Sequence, residues 1–488
     1  MRVSLVFVVI ALACLPFADL EITTLDPWRE MGRLAWGVIT PDFFATEHLL
    51  DALKNTLAFA LLGVALANVL GFLLALVFHL RIVRVGCALV RAIHELFWAL
   101  LFLQMFGLTP LTGILAIAIP YAGIIAKVYA EILEETDPAP LQVMPAGASL
   151  LSVFFFARLP EAWAHFKTYS LYRLECGLRS SAVLGFVGLP TLGFHLESAF
   201  RQGHYSEVSA LLMLFYGVIA TIRWWVRGRL IPLYIVGAVL VLPGGADIHI
   251  GNVVRFFTQD IVPHPLRVAE TVDGVTLAAL GDWLWRLLTT QALPGIVNTV
   301  LLTMIALVGA GILTLLLFPL ISPKFFDRWG RGAGHVFLAI ARSTPEYILA
   351  YILLQLWGPS MIPAIVALSL HNGAIIGHLI GRYTKELQLR PDSSTGVNRY
   401  AYEILPRVYP QFLAFLFYRW EVILRETAIL GILGIHTLGF FVDSAFADIR
   451  FDRAVLLIAI TACLNIAVDA LSRTIRARLR LKSTPDQN

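Results

Sequence analysis

Long stretches without a single charge constrain this chain more than any other feature. Leu57–Phe78 and Val300–Leu320 each run for more than twenty residues with no Asp, Glu, Lys or Arg. A hydrocarbon layer about 30 Å thick is crossed by about 20 residues of helix, rising about 1.5 Å per residue. No water reaches such a segment, so its backbone must satisfy its own hydrogen bonds, and a helix does this within itself. Composition extends the reading to the whole chain. Of 488 residues, 58% are hydrophobic and only 14% charged, and the mean hydropathy is +0.77. These values argue against a soluble multidomain protein and for an all-α integral membrane protein.

Apolar windows number about twelve, near 3–18, 53–79, 88–107, 109–130, 166–189, 207–226, 230–243, 296–320, 333–357, 359–380, 410–434 and 454–471. The seventh is short for a full crossing, and polar-interrupted connections cover 19–50 and 244–292. The opening segment, Arg2 then Val3–Phe17, has the pattern of a signal peptide, yet a chain already inserted needs none, and a retained first helix is the expectation. With a cytoplasmic N-terminus, 22 basic residues fall on the cytoplasmic face and 8 on the other, which places both termini inside. The net charge of +4 reflects those loops and implies no nucleic-acid partner. The cysteines Cys14, Cys87, Cys176 and Cys463 are scattered, with no metal-binding spacing and no disulfide framework.

The chain repeats itself. Residues 184–194 read LGFVGLPTLGF and residues 430–440 read LGILGIHTLGF, seven of eleven positions matching at a spacing of 246. The same spacing aligns Tyr172-Arg173-Leu174-Glu175 with Tyr418-Arg419-Trp420-Glu421, Arg179 with Arg425, and Pro160 with Pro406. This is a tandem duplication, about 1–228 and 229–488, with six windows in each half. An even number of crossings lets both halves enter the membrane in the same sense. A parallel pseudo-two-fold axis along the membrane normal is therefore expected.

Between the fourth and fifth windows lies the polar loop Glu131–Pro160, with Ala146-Gly147-Ala148 at its centre and Pro160 thirteen residues after the glycine. Its counterpart, Lys385–Pro406, is about five residues shorter and keeps Gly396 and Pro406 only ten apart. Taken alone, such a loop is either an amphipathic connector or a short helix that docks into a partner's groove. The first loop resembles the coupling loop of ABC-importer permeases. Downstream, LYRLECGLRSSAVLGFVGLPTLG in the first half and FYRWEVILRETAILGILGIHTLG in the second are similar to the phosphonate/phosphite-type permease family. The resemblance covers most of each half. It implies two fused six-helix repeats of the type I importer fold, in a bacterial inner membrane. Two copies of a cytoplasmic ATPase subunit would carry the ATP and Mg, and a periplasmic binding protein would deliver phosphonate, phosphite, phosphate or a related oxyanion. Members of the family are usually single-repeat chains that dimerise. Here the copies are fused, His436 replaces a small residue, and the second coupling loop is degenerate, so the ATPases are expected to grip the halves unequally.

The candidate substrate-path residues are Arg179 and Arg425 with Glu175 and Glu421 four residues earlier, together with Tyr172 and Tyr418. Charges inside a membrane face a bundle interior or a water-filled path. Each Glu–Arg pair either closes along one helix face or leaves its arginine to meet an anion, whose oxygens suit the guanidinium fork. Gly185, Gly188, Gly431 and Gly434 mark either close packing or a gate-forming break in the helix. Ala146, Gly147, Ala148, Pro160, Gly396 and Pro406 are the candidate coupling residues. His195, His371 and His436 have no ligand spacing and read as satisfied polar residues, so no metal is expected. No P-loop sequence is present, which leaves ATP hydrolysis to separate subunits and makes the chain a permease, not an enzyme. The rival reading is an ion-coupled carrier of a small anion.

Overall fold

The computed structural model describes residues 2–24, 26–137, 139–145, 147–242, 244 and 249–479, and among them every regular element is a helix. Each of the twelve apolar windows is mostly helical, some across more than one helix. Five helices are long and apolar enough to cross a membrane alone: Leu49–Leu76, Pro110–Glu135, Gly274–Ile321, Met361–Tyr383 and Phe451–Arg478. Counting each of four bent helix pairs as one crossing raises the number to nine, and three shorter apolar helices remain, Arg2–Phe17, Tyr205–Ala220 and Gly228–Val241. The Gly274–Ile321 helix begins well before the window at 296–320, inside the expected connection 244–292. Asp273 caps it, accepting from Thr276 N at 2.8 Å, and a π-turn at Leu288–Ala292 carries it on.

Two windows, 88–107 and 333–357, were expected as single spans and instead straddle right-angle bends. Arg81–Ala92 meets Glu95–Phe106 at 92°, and Arg328–Ser343 meets Glu346–Trp357 at 93°. The causes are local. Before the second arm of the first pair, Ile93 and His94 are extended, and His94 Nδ1 accepts from Leu96 N at 3.1 Å as a helix cap. In the second pair Pro345 forces Thr344 out of the helical region, and Thr344 is extended at ψ 119°. Each first arm carries three arginines: Arg81, Arg84 and Arg91, then Arg328, Arg331 and Arg342. Each second arm is apolar but has only 12 residues. That length gives about 18 Å of helix, short of a bilayer core of about 30 Å.

The chain divides into two compact units, Leu34–Gln259, and Met1–Arg33 with Asp260–Asn488. At the centre of the first, Leu49–Leu76 packs along Pro110–Glu135. A Cβ on Gly63 would sit 2.9 Å from Ile117, and one on Gly71 would sit 2.7 Å from Ile125. Glycines eight residues apart thus let two apolar helices close on one face, the way small residues act in membranes. In the second unit Leu293–Leu317 packs along Met361–Tyr383, where Gly309 meets Ser369 and Gly381 meets Ile321. Each unit also holds the first helix of the other sequence repeat. Arg2–Cys14 packs on Leu293–Leu317, with Phe7 edge-on to Phe417 and Trp420 at 5.1 and 5.3 Å, and Ile231–Val241 packs on Leu49–Leu76.

Candidate functional site

The duplicated LG-x-x-G motif builds the same helix break twice. Helix Leu159–Val183, with Pro160 in its first turn, tightens into the turn Leu184–Val187, and the chain restarts as Leu192–Gln202 at 56°. Leu405–Leu430, with Pro406 in its first turn, continues as Gly431–Leu433 and restarts as Leu438–Ala447 at 44°. A π-turn, Phe154–Arg158 or Arg399–Ile404, carries the helix into each proline. Gly188 and Gly434 take φ of +92° and +85°, a left-handed conformation that costs other residues about 1–2 kcal/mol. Gly185 and Gly431 serve differently. A Cβ on either would lie 2.1 Å from the backbone nitrogen of Phe194 or Phe440. Gly193 and Gly439 meet Ala182 O and Ala428 O as closely. The break and the close packing are one device.

A polar clamp holds each break, and the sequence reading missed it. Asn55 Nδ2 donates to Pro190 O at 3.0 Å, and Thr56 Oγ1 accepts from Leu192 N at 2.8 Å. Asn298 Nδ2 donates to His436 O at 2.8 Å, and Thr299 Oγ1 accepts from Leu438 N at 3.0 Å. Each threonine satisfies an N–H that a new helix start leaves open. Paired Asn-Thr dipeptides in otherwise apolar helices were the available signal.

The charges chosen from sequence sit on Leu159–Val183 and Leu405–Leu430. Arg179 and Arg425 are half-buried, and Arg179 donates to Cys176 Sγ at 3.3 Å. Glu175 and Glu421 are half-buried on the same two helices. Tyr172 and Tyr418 are exposed. Tyr172 lies beside Tyr169 and Arg173, and Tyr418 lies under Arg476 at 5.7 Å.

A second arginine pair, Arg173 and Arg419, anchors the larger polar networks. Arg173 lies 5.5, 5.1 and 5.4 Å from the ring centres of Tyr121, Tyr169 and Tyr172, within cation–π range, and its Nε donates to Tyr169 OH at 2.8 Å. Tyr121 OH lies 2.9 Å from Ser180 Oγ, which donates to Glu95 Oε1 at 2.7 Å. In the other repeat Arg419 Nε donates to Asn372 Oδ1 at 2.7 Å, and its Nη2 lies 3.5 Å from Glu426 Oε1. Asn372 Nδ2 returns a bond to Glu426 Oε2 at 3.1 Å. His371 Nδ1 lies 2.9 Å from Thr344 O, and its Nε2 lies 3.8 Å from Glu346 Oε2.

These networks occupy equivalent frames. Arg173 and Ser180 correspond to Arg419 and Glu426 at the spacing of 246, and Glu95, Pro120 and Tyr121 correspond to Glu346, His371 and Asn372 at 251. Glu95 and Glu346 each open the second arm of a bent pair, so the bends deliver both carboxylates. One network is built of aromatics and hydroxyls. The other is built of charge.

The two polar loops differ as well. Ala146 lies outside the described residues. Gly147 is exposed with open space where a Cβ would point, and Ala148 is half-buried. The counterpart is braced from within. Arg399 donates to Ser394 O at 2.7 Å and Lys324 O at 3.0 Å, and Arg407 donates to Gln388 O at 2.7 Å. Glu403 accepts from Arg390 N at 2.8 Å and from Ser393 Oγ. Gly396 has φ +64°, so backbone conformation alone favours glycine there.

Comparison with known proteins gives two informative relatives. The phosphite transport system permease protein PtxC of Stutzerimonas stutzeri is 31% identical over 232 residues, 45% of this chain and 84% of that protein. The phosphate-import permease protein PhnE of Mycolicibacterium smegmatis is 25% identical over 462 residues, 87% of this chain and 84% of that protein. The first match has about the length of one repeat. No family model and no solved structure matches the chain.

Proposed function

The chain belongs to the family of permease subunits of phosphite, phosphonate and phosphate import systems, and we propose that it forms the path for a phosphorus oxyanion delivered by a periplasmic binding protein. It is a multi-pass membrane permease of an ATP-binding-cassette importer, not an enzyme. In this reading twelve helices cross the inner membrane, the two repeats are related by a parallel pseudo-two-fold axis, and both termini are cytoplasmic. Two ATPase subunits, carrying ATP and Mg, close and open against the loops around Gly147 and Gly396. The internal bracing around Gly396 supports an unequal grip.

The observation that carries the reading is the matched arginine in each repeat, Arg173 and Arg419, held in a polar network inside an otherwise apolar bundle. A guanidinium presents paired donors that fit phosphoryl oxygens, and a largely dry site strengthens the attraction. Arg179 and Arg425 lie six residues further along the same helices, about 9 Å, and extend the positive lining of the path. The glycine-rich breaks beyond them form the gate.

The test is uptake of phosphite, phosphonate and phosphate into proteoliposomes holding the chain with its ATPase and binding protein. ATP-dependent uptake is expected, reduced in Arg173→Lys and Arg419→Lys because the charge stays while the fork is lost. Uptake that ignores ATP and follows an ion gradient would overturn the importer mechanism.

A further inference from the structure

We propose that Glu346, His371 and Glu426 form a binding site for a divalent transition-metal ion, present in the second repeat alone. One ligand atom from each residue lies within 4.8 Å of the other two. The three come from separate helices, Glu346–Trp357, Met361–Tyr383 and Leu405–Leu430. His371 and Glu426 are buried, and the Glu346 side chain is only 13% exposed.

The histidine is set for coordination. Its Nδ1 lies 2.9 Å from Thr344 O, and a carbonyl only accepts, so Nδ1 carries the proton. In the neutral ring this leaves the lone pair on Nε2, the atom facing Glu346. An imidazole fixed through its far nitrogen is the usual outer support of a metal-bound histidine. The 3.8 Å from Nε2 to Glu346 Oε2 is too long for a hydrogen bond. Two ligands held about 2.0–2.2 Å from one ion lie about 3.4 Å apart at a tetrahedral angle, so the three side chains would draw together around an ion. Asn372 and Arg419 hold Glu426 from behind, at 3.1 and 3.5 Å, as the outer groups of a metal carboxylate do.

The first repeat makes the contrast. At the equivalent positions it has Glu95, Pro120 and Ser180, one carboxylate and no imidazole. It does place His94 Nε2 3.9 Å from Glu95, but His94 Nδ1 accepts from Leu96 N. Its neutral ring therefore carries the proton on Nε2, and that nitrogen has no lone pair for an ion. One imidazole and two carboxylates suit Zn²⁺, Mn²⁺, Fe²⁺ or Co²⁺. Three protein donors leave a coordination position open. That position would take water, or an oxygen of the transported anion, and only this last step rests on the oxyanion reading.

The experiment uses tag-free full-length protein in lipid nanodiscs, stripped with a chelator, loaded with Zn²⁺ and desalted. Metal is then counted by mass spectrometry. One equivalent per chain is expected. Affinity should fall by more than about 100-fold in His371→Asn and Glu346→Gln, beyond the loss usual for an outer-support change, and hold in His94→Gln. Wild-type protein that retains no Zn²⁺, or variants that retain as much, overturns the proposal and leaves a proton-sharing network. If His371→Asn does not fold, Co²⁺ added to the wild type decides. Visible bands of mixed nitrogen and oxygen ligation support the site, and their absence refutes it. Neither readout involves transport, so failure here leaves the importer reading standing.

Discussion

Removing Arg419 while Glu426 stays should destabilise the second repeat far more than removing both. The charges lie 3.5 Å apart, with side chains 15% and 11% exposed. At an effective dielectric of about 20, Coulomb's law gives about 5 kcal/mol of attraction at that distance. Desolvation offsets much of this, so the intact pair contributes little net stability. Stranding one charge is another matter. Arg419→Gln leaves a carboxylate among apolar helices and should cost about 3–5 kcal/mol. Arg419→Gln with Glu426→Gln removes both charges and keeps amides that can still reach Asn372, so it should fall within about 1 kcal/mol of wild type. The coupling between the sites is then at least about 2 kcal/mol, well above the additivity error of about 0.5 kcal/mol. Wild type, Arg419→Gln, Glu426→Gln and the double variant should be unfolded at equilibrium in mixed micelles, with chelator present so that metal binding does not enter. Additive losses would refute the reasoning. Transport by the same variants separates structure from function. If Arg419 meets the anion, the stable double variant transports poorly, and normal uptake would leave only a structural pair.

The first repeat should respond differently, because Arg173 lies against tyrosines. Arg173→Gln should cost only about 1–2 kcal/mol, measured by the same unfolding. At the breaks, Gly185→Ala and Gly431→Ala place a Cβ 2.1 Å from backbone and should prevent accumulation of folded protein, whereas Gly188→Ala carries only the conformational cost of about 1–2 kcal/mol. Expression and monodispersity in detergent read the difference. Thr56→Val and Thr299→Val keep shape but remove the acceptor for a buried N–H, and thermal unfolding should show about 1–3 kcal/mol lost in each. Gly147→Trp should leave the protein inserted yet uncouple ATP hydrolysis from uptake. Gly396→Asn, which tolerates positive φ, should hurt less, and equal losses would refute the unequal grip.

Much of the architecture was legible because membrane insertion depends on local composition. Every apolar window is mostly helical, five of the helices are long and apolar enough to cross a membrane alone, and the LG-x-x-G repeat became the same broken helix twice. Direction was not legible. A window average over 88–107 or 333–357 cannot register that Ile93–His94 or Thr344–Pro345 turns the chain through a right angle. The candidate site was half visible. Arg173 and Arg419 stood inside the aligned Tyr-Arg-x-Glu segments, but the different surroundings of Arg179 and Arg425, about one and two-thirds turns further along, are a matter of packing. Their partners were hidden by register. The second loop is about five residues shorter, so the bent pairs and the helices that follow them pair at 251 and not at 246, and Glu95 falls opposite Glu346 only at the larger value.

Fusion gives this chain a freedom that a self-pairing permease lacks. In a symmetric homodimer each residue is present twice, and a substitution made for one side is imposed on the other. A second glutamate in place of Ser180 would enter the aromatic surroundings of Arg173, and a histidine in place of Pro120 would lie near Tyr121. Here those positions diverge. Ser180 completes a hydroxyl relay to Glu95, while Glu426 completes an ion pair with Arg419. The loops diverge in length, and the second is braced by Glu403, Arg399 and Arg407. The frame of two matched helices, two bends and two clamped breaks is kept where both halves need it. Charge, hydroxyl and imidazole differ where one half alone uses them.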